Sequence, residues 1–141
     1  MPADETAPQV TVSESGNGPY GQIVTAGHHV QAADEPERVG GHDTGLSPFE
    51  YVMAGLGACT AMTIRMYAER HGFALEHVSV RLNHKRVTTG DERGVRDQFQ
   101  RIVTLSGALD AAQRARLLEI AERCPVSQTL RRSSEIETAV E

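Results

Sequence analysis

The sequence is poor in aromatic residues and has no excess of positive charge. It contains no tryptophan, three tyrosines and three phenylalanines, and its formal net charge at pH 7 is -5. A surface that binds single-stranded nucleic acid needs exposed aromatic rings, and a surface that binds a duplex needs clustered lysine and arginine. The composition therefore argues against a nucleic-acid partner.

Long apolar runs are also missing. No run approaches the ~20 residues that cross a bilayer, and no basic-plus-apolar signal peptide opens the chain. Only two cysteines are present, Cys59 and Cys124. Without a secretory signal we expect a reducing cytoplasm, where a cysteine pair is more often redox-active than a structural disulfide.

Motifs for metal and nucleotide binding are absent from the sequence. The six histidines and two cysteines show no C-x-x-C, H-E-x-x-H or other ligand spacing, and there is no P-loop, G-x-G-x-x-G after a strand or G-x-S-x-G. We therefore expect neither a bound metal nor a bound cofactor.

The hydrophobic pattern predicts a tail over residues 1–8 and a single domain over 9–141. Strands are expected at 9–12, 21–26, 28–34, 76–87, 98–107 and 134–140, turns at the glycine-rich residues 15–19 and at 88–94, and helices after Ser47, Asp110 and Cys124. The strands at 76–87 and 98–107 alternate, with one face formed by Val78, Val80 and Leu82 on the first and by Phe99, Arg101, Val103 and Leu105 on the second. The order β-β-β-α-β-β-α-α-β indicates an α+β fold with antiparallel sheets around a long central helix.

The central helix has clear end signals. Ser47, Pro48 and Glu50 form a capping-box start, and Gly72 is a typical stop. Residues 51–64 are apolar or small on nearly every side, which is typical of a helix that is buried all round. Because so short a chain rarely surrounds a long helix by itself, we expect a homodimer.

Each candidate site residue has a structural and a functional interpretation. Cys124, just before Pro125, is either a helix N-cap with a lowered thiol pKa or simply a small capping residue. Cys59 lies mid-helix, where burial disfavours the thiolate and a structural cysteine is typical. Arg38 is either the cation that ionises a thiol or a solvated loop residue. Glu50 completes the capping box, and it lies ~13 Å along the helix axis from Cys59.

Two segments carry a resemblance to a known family. "GLSPFEYVMAGLGACTAMTIRMYAERHG", preceded by "ADEPERVGGHDTG" and followed downstream by "RCPVSQTL", resembles the OsmC/Ohr family of organic hydroperoxide reductases. The likeness runs from about Gly21 to the end and is closest to the broad OsmC-like branch. Phe49 stands where typical peroxidase members carry the acid, and Glu50 follows one residue later, a ~100° rotation on an ideal helix.

The resemblance implies an intertwined homodimer with a cysteine pair at each of two interface sites. Cys59 would be the reactive thiol, Cys124 the resolving thiol, and Arg38 the activating cation that Glu50 holds. An external dithiol, of lipoyl type in some relatives, would restore both thiols.

The predicted function is a thiol-dependent peroxidase that reduces organic hydroperoxides in oxidative-stress defence. One alternative is a non-catalytic OsmC-like dimer that binds a small hydrophobic or oxidised ligand at its interface. Another is a structural dimer with two inert cysteines.

Overall fold

The computed structural model describes residues 7–91 and 94–141. Its elements are β1 (Thr11–Glu14), β2 (Gln22–Ala26), β3 (His29–Ala33), a short 3-10 helix (Glu37–Val39), α1 (Pro48–Arg70), β4 (Leu75–Thr88), β5 (Val95–Gly107), α2 (Ala111–Ala121) and α3 (Pro125–Arg131). The predicted α+β class is confirmed. Most of the predicted tail, and positions 92 and 93 of the predicted turn, lie outside the described residues.

The chain divides into two compact units, one ending at Val52 and the other running Met53–Glu141. The single domain expected over 9–141 stays a prediction. In the first unit, β1, β2 and β3 form an antiparallel meander, with Val12 opposite Val24 and Gln22 opposite Ala33. Its turns are glycine-rich, as the sequence predicts.

The buried carboxylate of Asp34 organises the loop between β3 and α1. It accepts hydrogen bonds from the backbone N–H groups of Glu35 (2.7 Å), His42 (3.3 Å) and Thr44 (3.2 Å), and from the Thr44 hydroxyl (2.7 Å). Gly41 permits the tight path of the loop, because an added Cβ would lie 1.9 Å from the Glu35 carbonyl oxygen.

In the second unit, β4 and β5 form a long antiparallel hairpin in which Val80 lies opposite Val103 and Leu82 opposite Arg101. The predicted alternation is confirmed, since the more buried positions on the two strands include Val78, Val80, Leu82, Phe99, Arg101, Val103 and Leu105. This face packs towards a core of Ile64, Ala68, Leu75, Leu117 and Ala121. The core therefore lies between the hairpin, α1 and α2.

One chain covers α1 on one side only, as expected for a helix that so short a chain does not surround by itself, and the homodimer stays a prediction. The buried residues of α1, Leu56, Gly57, Thr60, Ile64 and Ala68, follow one stripe at helical spacing. Met62 and Met66 are exposed. The hairpin and α2 cover one side of the helix, and within this chain the methionine side keeps its access to solvent.

The predicted closing strand at 134–140 is also wrong, because these residues form no strand. Ile136 and Val140 are almost fully exposed. An alternating pattern supplies one apolar face, but a strand also needs a neighbour to satisfy its backbone hydrogen bonds. The order observed in the described residues therefore ends with α3.

The helix starts in the second unit agree with the sequence. Asp110 caps α2 through a capping box with Gln113, and Cys124 caps α3 with Pro125 at its first position. Within the described residues, no helix is both long enough and apolar enough to cross a membrane.

Candidate functional site

The two cysteines lie in contact within the second unit. Cys59 comes from the middle of α1, Cys124 lies at the start of α3, and both are free thiols that hydrogen-bond to each other. Cys124 is fully buried (0% exposed), whereas Cys59 is half-buried. Two thiols 65 positions apart in the sequence are thus adjacent in the fold, and one of them is partly exposed.

The surroundings of Cys59 disfavour its thiolate. Burial raises the pKa of this thiol, and the hydrogen bond and charge of the Cys124 sulfur raise it further. The backbone N–H of Val126 and the hydroxyl of Thr63 act in the opposite direction without outweighing the rise. Taken together, these contacts favour the protonated form of Cys59.

The surroundings of Cys124 favour its thiolate. Burial by itself raises the pKa of this thiol, but the hydrogen bonds from Ser127 N–H, Cys59 and Thr60, with the charge of Arg101, bring it below its usual value. The Ser127 N–H donates to Cys124 Sγ at 3.3 Å. When the pair loses one proton, the negative charge is expected at the buried sulfur.

The cation nearest to this pair that the described contacts identify is Arg101, on the inner face of β5. Its side chain is 11% exposed. Its Nη1 donates to Thr60 Oγ1 at 3.0 Å and to the Ala121 carbonyl oxygen at 3.0 Å. Thr60 Oγ1 in turn lies 3.8 Å from Cys124 Sγ. A permanent positive charge is thereby fixed one hydroxyl group away from the buried sulfur.

Glu122 supplies the counter-charge for Arg101. Its Oε1 lies 3.3 Å from Arg101 Nη2, and its other oxygen pairs with Arg131. The Arg131 hydrogen bond lowers the pKa of the Glu122 carboxyl, with further help from the charges of both arginines. A largely buried guanidinium needs such a partner, since an unpaired buried charge is costly.

Arg38 and Glu50, the other predicted site residues, both lie in the first unit, where their charges interact. Arg38 is exposed in the 3-10 helix. Glu50 Oε1 accepts a hydrogen bond from the Ser47 N–H at 3.0 Å, and this bond is the main reason why the pKa of Glu50 is lowered. The capping role predicted for Glu50 is therefore directly visible.

Two clefts are lined in part by residues that contact the cysteine pair, Ser127 in one and Thr63 in the other. The larger, of about 640 Å³, is lined by residues 95–99, Leu56, Arg101, Ser127, Leu130 and Arg131. The smaller, of about 200 Å³, is lined by Thr63, Met66, Tyr67, Arg70, Ile120 and Arg123. Thr63 bonds to Cys59, so the smaller cleft reaches the neighbourhood of the half-buried thiol. No group of three or more potential metal ligands occurs within the described ranges.

The α+β fold is similar to the folds of several solved structures. An organic hydroperoxide resistance protein OsmC from Legionella pneumophila is 23% identical over 91% of each chain, with a TM-score of 0.67. An OsmC-like protein from Mycoplasma pneumoniae is 16% identical over 91% of this chain and 89% of its own, with a TM-score of 0.73. The organic hydroperoxide resistance protein OhrB of Bacillus subtilis is 20% identical over 89% of this chain and 90% of its own, with a TM-score of 0.62.

The family itself is established by sequence. A family model described as OsmC-like protein matches residues 41–139. The chain therefore belongs to the OsmC-like family, which confirms the resemblance. No curated protein matches the chain.

Three residues of the site, Thr60, Arg101 and Glu122, are not singled out by the sequence. The signal that could have identified Arg101 is its position, because it is the one charged residue on the otherwise apolar face of β5 from Phe99 to Leu105. Such an arginine must find buried partners. Neither Thr60 nor Glu122 has a comparable local signal.

Proposed function

We propose that the protein is a thiol-dependent peroxidase that reduces organic hydroperoxides through Cys59 and Cys124. The observation that carries this proposal is the contact between two free thiols, one half-buried and one fully buried. The names of the hydroperoxide resistance proteins with this fold support it. We place the reaction in the cytoplasm, in defence against oxidative stress.

The proposed first step takes place at Cys59. Cys59 gives up its proton and the thiolate attacks the terminal peroxide oxygen, so that an S–O bond forms and the O–O bond breaks. The proton of Cys59 goes to the departing alkoxide, so the products are an alcohol and a sulfenic acid on Cys59. The partial exposure of Cys59 and the neighbouring cleft with Met66 and Tyr67 suit an organic peroxide.

The proposed second step takes place between the two sulfurs. The thiolate of Cys124 attacks the sulfur of the Cys59 sulfenic acid, an S–S bond forms and hydroxide leaves. An external dithiol, such as a lipoyl group, then reduces the disulfide and restores both thiols. Burial opposes ionisation of Cys124, but its hydrogen-bond donors and Arg101 lower the pKa of this thiol and so favour the thiolate that attacks in this step.

Arg38 and Glu50 are proposed as an additional activating pair, and the protein as a homodimer. The charge interaction between the two residues supports the pairing. The exposed Met62 and Met66 on α1 support a second copy as the cover for this helix. An Arg38→Ala variant with an unchanged rate would remove only the assignment of Arg38.

A thiol count before and after peroxide tests the main proposal. One equivalent of cumene hydroperoxide should remove both Ellman-reactive thiols of the denatured protein, and a dithiol should restore them. The Cys59→Ser variant should not consume peroxide. If that variant consumed it as fast as the wild type, the proposal would fail, and unreactive thiols in the wild type would favour the ligand-binding alternative.

A further inference from the structure

Arg101 lies at an inward-facing position of β5, on a face that is otherwise apolar from Phe99 to Leu105. Arg101 lies opposite Leu82 on the hairpin, and its neighbours on the same face of β5 are Phe99 and Val103. Its guanidinium is held at three points, by the Thr60 hydroxyl, the Ala121 carbonyl and the Glu122 carboxylate. So many fixed contacts leave the side chain little freedom, and its charge is held at one place beside α1.

The hydrogen bonds of the Thr60 hydroxyl link the charge of Arg101 to Cys124. A hydroxyl group has one proton to donate. Because Arg101 donates to Thr60 Oγ1, the Thr60 proton is directed away from the guanidinium. Two acceptors are available to it, the Leu56 carbonyl oxygen at 2.7 Å and Cys124 Sγ at 3.8 Å. A negatively charged sulfur is the stronger acceptor, since bonds to ionised groups are stronger than neutral ones.

We propose that Arg101 is a positioning residue that acts through the Thr60 hydroxyl to stabilise and orient the thiolate of Cys124, with Glu122 holding the guanidinium in place. Arg101 thereby serves the second sulfur of the pair, a role separate from the activation of Cys59 assigned to Arg38. The consequence for turnover rests on the proposed function, but the effect on the thiolate does not require peroxide chemistry.

The charged and titratable groups that the described contacts place around Cys124 are few. Cys59 reaches Cys124 from α1, and Arg101 reaches its surroundings from β5. Glu122, just after the end of α2, forms ion pairs with Arg101 and with Arg131 of α3. Glu122 is more than half exposed, whereas Arg101 is largely buried. Water therefore screens the charge of the carboxylate more than the charge of the guanidinium. Burial raises the pKa of Cys124, whereas its hydrogen bonds and, to a smaller extent, the charge of Arg101 lower it, and the net direction is downward.

The test measures the ionisation of Cys124 alone. In a Cys59→Ser background, Cys124 is the only thiol, and its ultraviolet thiolate absorbance can be followed against pH. A Cys59→Ser, Cys124→Ser protein supplies the baseline for the three tyrosines. We expect Arg101→Gln to lower the thiolate fraction roughly three- to tenfold at a fixed pH below the midpoint. Arg101→Lys should lower it less, because it keeps the charge.

Two further variants separate this role from a structural one. Thr60→Val keeps the shape of the side chain but removes the hydroxyl, so it should lower the thiolate fraction even with Arg101 present. If the Arg101→Gln protein does not fold, the Thr60→Val variant still tests the proposal. Arg114→Gln is the matched control, since Arg114 also binds backbone carbonyls, those of Leu105 (2.9 Å) and Gly107 (3.4 Å), with no described contact to a cysteine.

An unchanged titration in folded Arg101→Gln or Thr60→Val protein would overturn the proposal. An equal change in Arg114→Gln would do the same, because it would show a general loss of packing. Since no peroxide is added, these outcomes are independent of the thiol count that tests the peroxidase function.

Discussion

The guanidinium of Arg101 donates a 3.0 Å hydrogen bond to the hydroxyl oxygen of Thr60. This bond joins an inward position of β5 to the buried stripe of α1, one residue after Cys59. The bond holds the positive charge of Arg101 on a strand face whose sequence pattern is otherwise apolar. The electrostatics of the thiol pair therefore depend on the hairpin as well as on the two helices that carry the sulfurs.

The first prediction concerns the intermediate expected at Cys59. Cys124→Ser removes the sulfur that would attack the sulfenic acid, so treatment with an organic hydroperoxide should leave a sulfenic acid on Cys59. Dimedone labelling with peptide mass spectrometry measures it. Cys59→Ser is the control and should take up no dimedone. A label on Cys124 in that control would instead show that the buried sulfur attacks peroxide first.

A second prediction concerns the core of the second unit. Leu117 is fully buried (0% exposed) in the cluster with Ile64 and Ala68, whereas the next residue, Leu118, is 49% exposed. Leu117→Ala should lower the free energy of unfolding by about 2–5 kcal/mol, because it removes buried methyl groups and leaves a cavity. Leu118→Ala should change it by less than about 0.5 kcal/mol. Urea denaturation measures both, and equal losses would contradict the described packing of α2.

Much of the second unit can be predicted from local patterns. The alternation of Val78, Val80 and Leu82 is confirmed, and so are the caps at Asp110 and Cys124. These features depend on residues close together in the sequence, where side-chain period and backbone capping act directly. The bounds of α1 follow for the same reason, since Pro48 and Gly72 enclose it.

The features that the sequence did not predict depend on distant neighbours. Residues 134–140 have the right alternation for a strand, but they pair with no strand in the part of the chain that the structure describes. The role of Arg101 depends on Thr60, 41 positions earlier in the chain, and on Ala121, 20 positions later. A local pattern contains no information on such contacts.

The third prediction concerns the pH dependence of the first unit. The hydrogen bond from the Thr44 hydroxyl is the largest influence on Asp34, and with the N–H bonds it outweighs burial and lowers the pKa of this carboxyl. Because the folded-state pKa lies below the unfolded one, the stabilisation is present above the unfolded value of about 3.9 and is lost as the pH falls through the folded value.

Asp34→Asn should therefore destabilise the protein at neutral pH, and its difference from the wild type should shrink in acid. Urea denaturation over a pH series measures the difference, and hydrogen exchange of the Glu35, His42 and Thr44 amides locates it. Thr44→Val, which removes only the hydroxyl donor, should show a smaller effect with the same sign. A difference independent of pH would contradict the described role of the carboxylate.

The last prediction concerns the exposed side of α1. Met62 and Met66 are 59% and 55% exposed, four residues apart on the helix. If a second copy covers them, as we propose, Met62→Glu should place a charge in an apolar interface and shift a dimer towards monomer. Sedimentation velocity over a concentration series measures this shift. Leu118→Glu is the matched control, because Leu118 is a similarly exposed apolar residue on α2, and it should leave the association unchanged. A monomeric wild-type protein, or equal dissociation of both variants, would exclude this side of α1 as the specific interface.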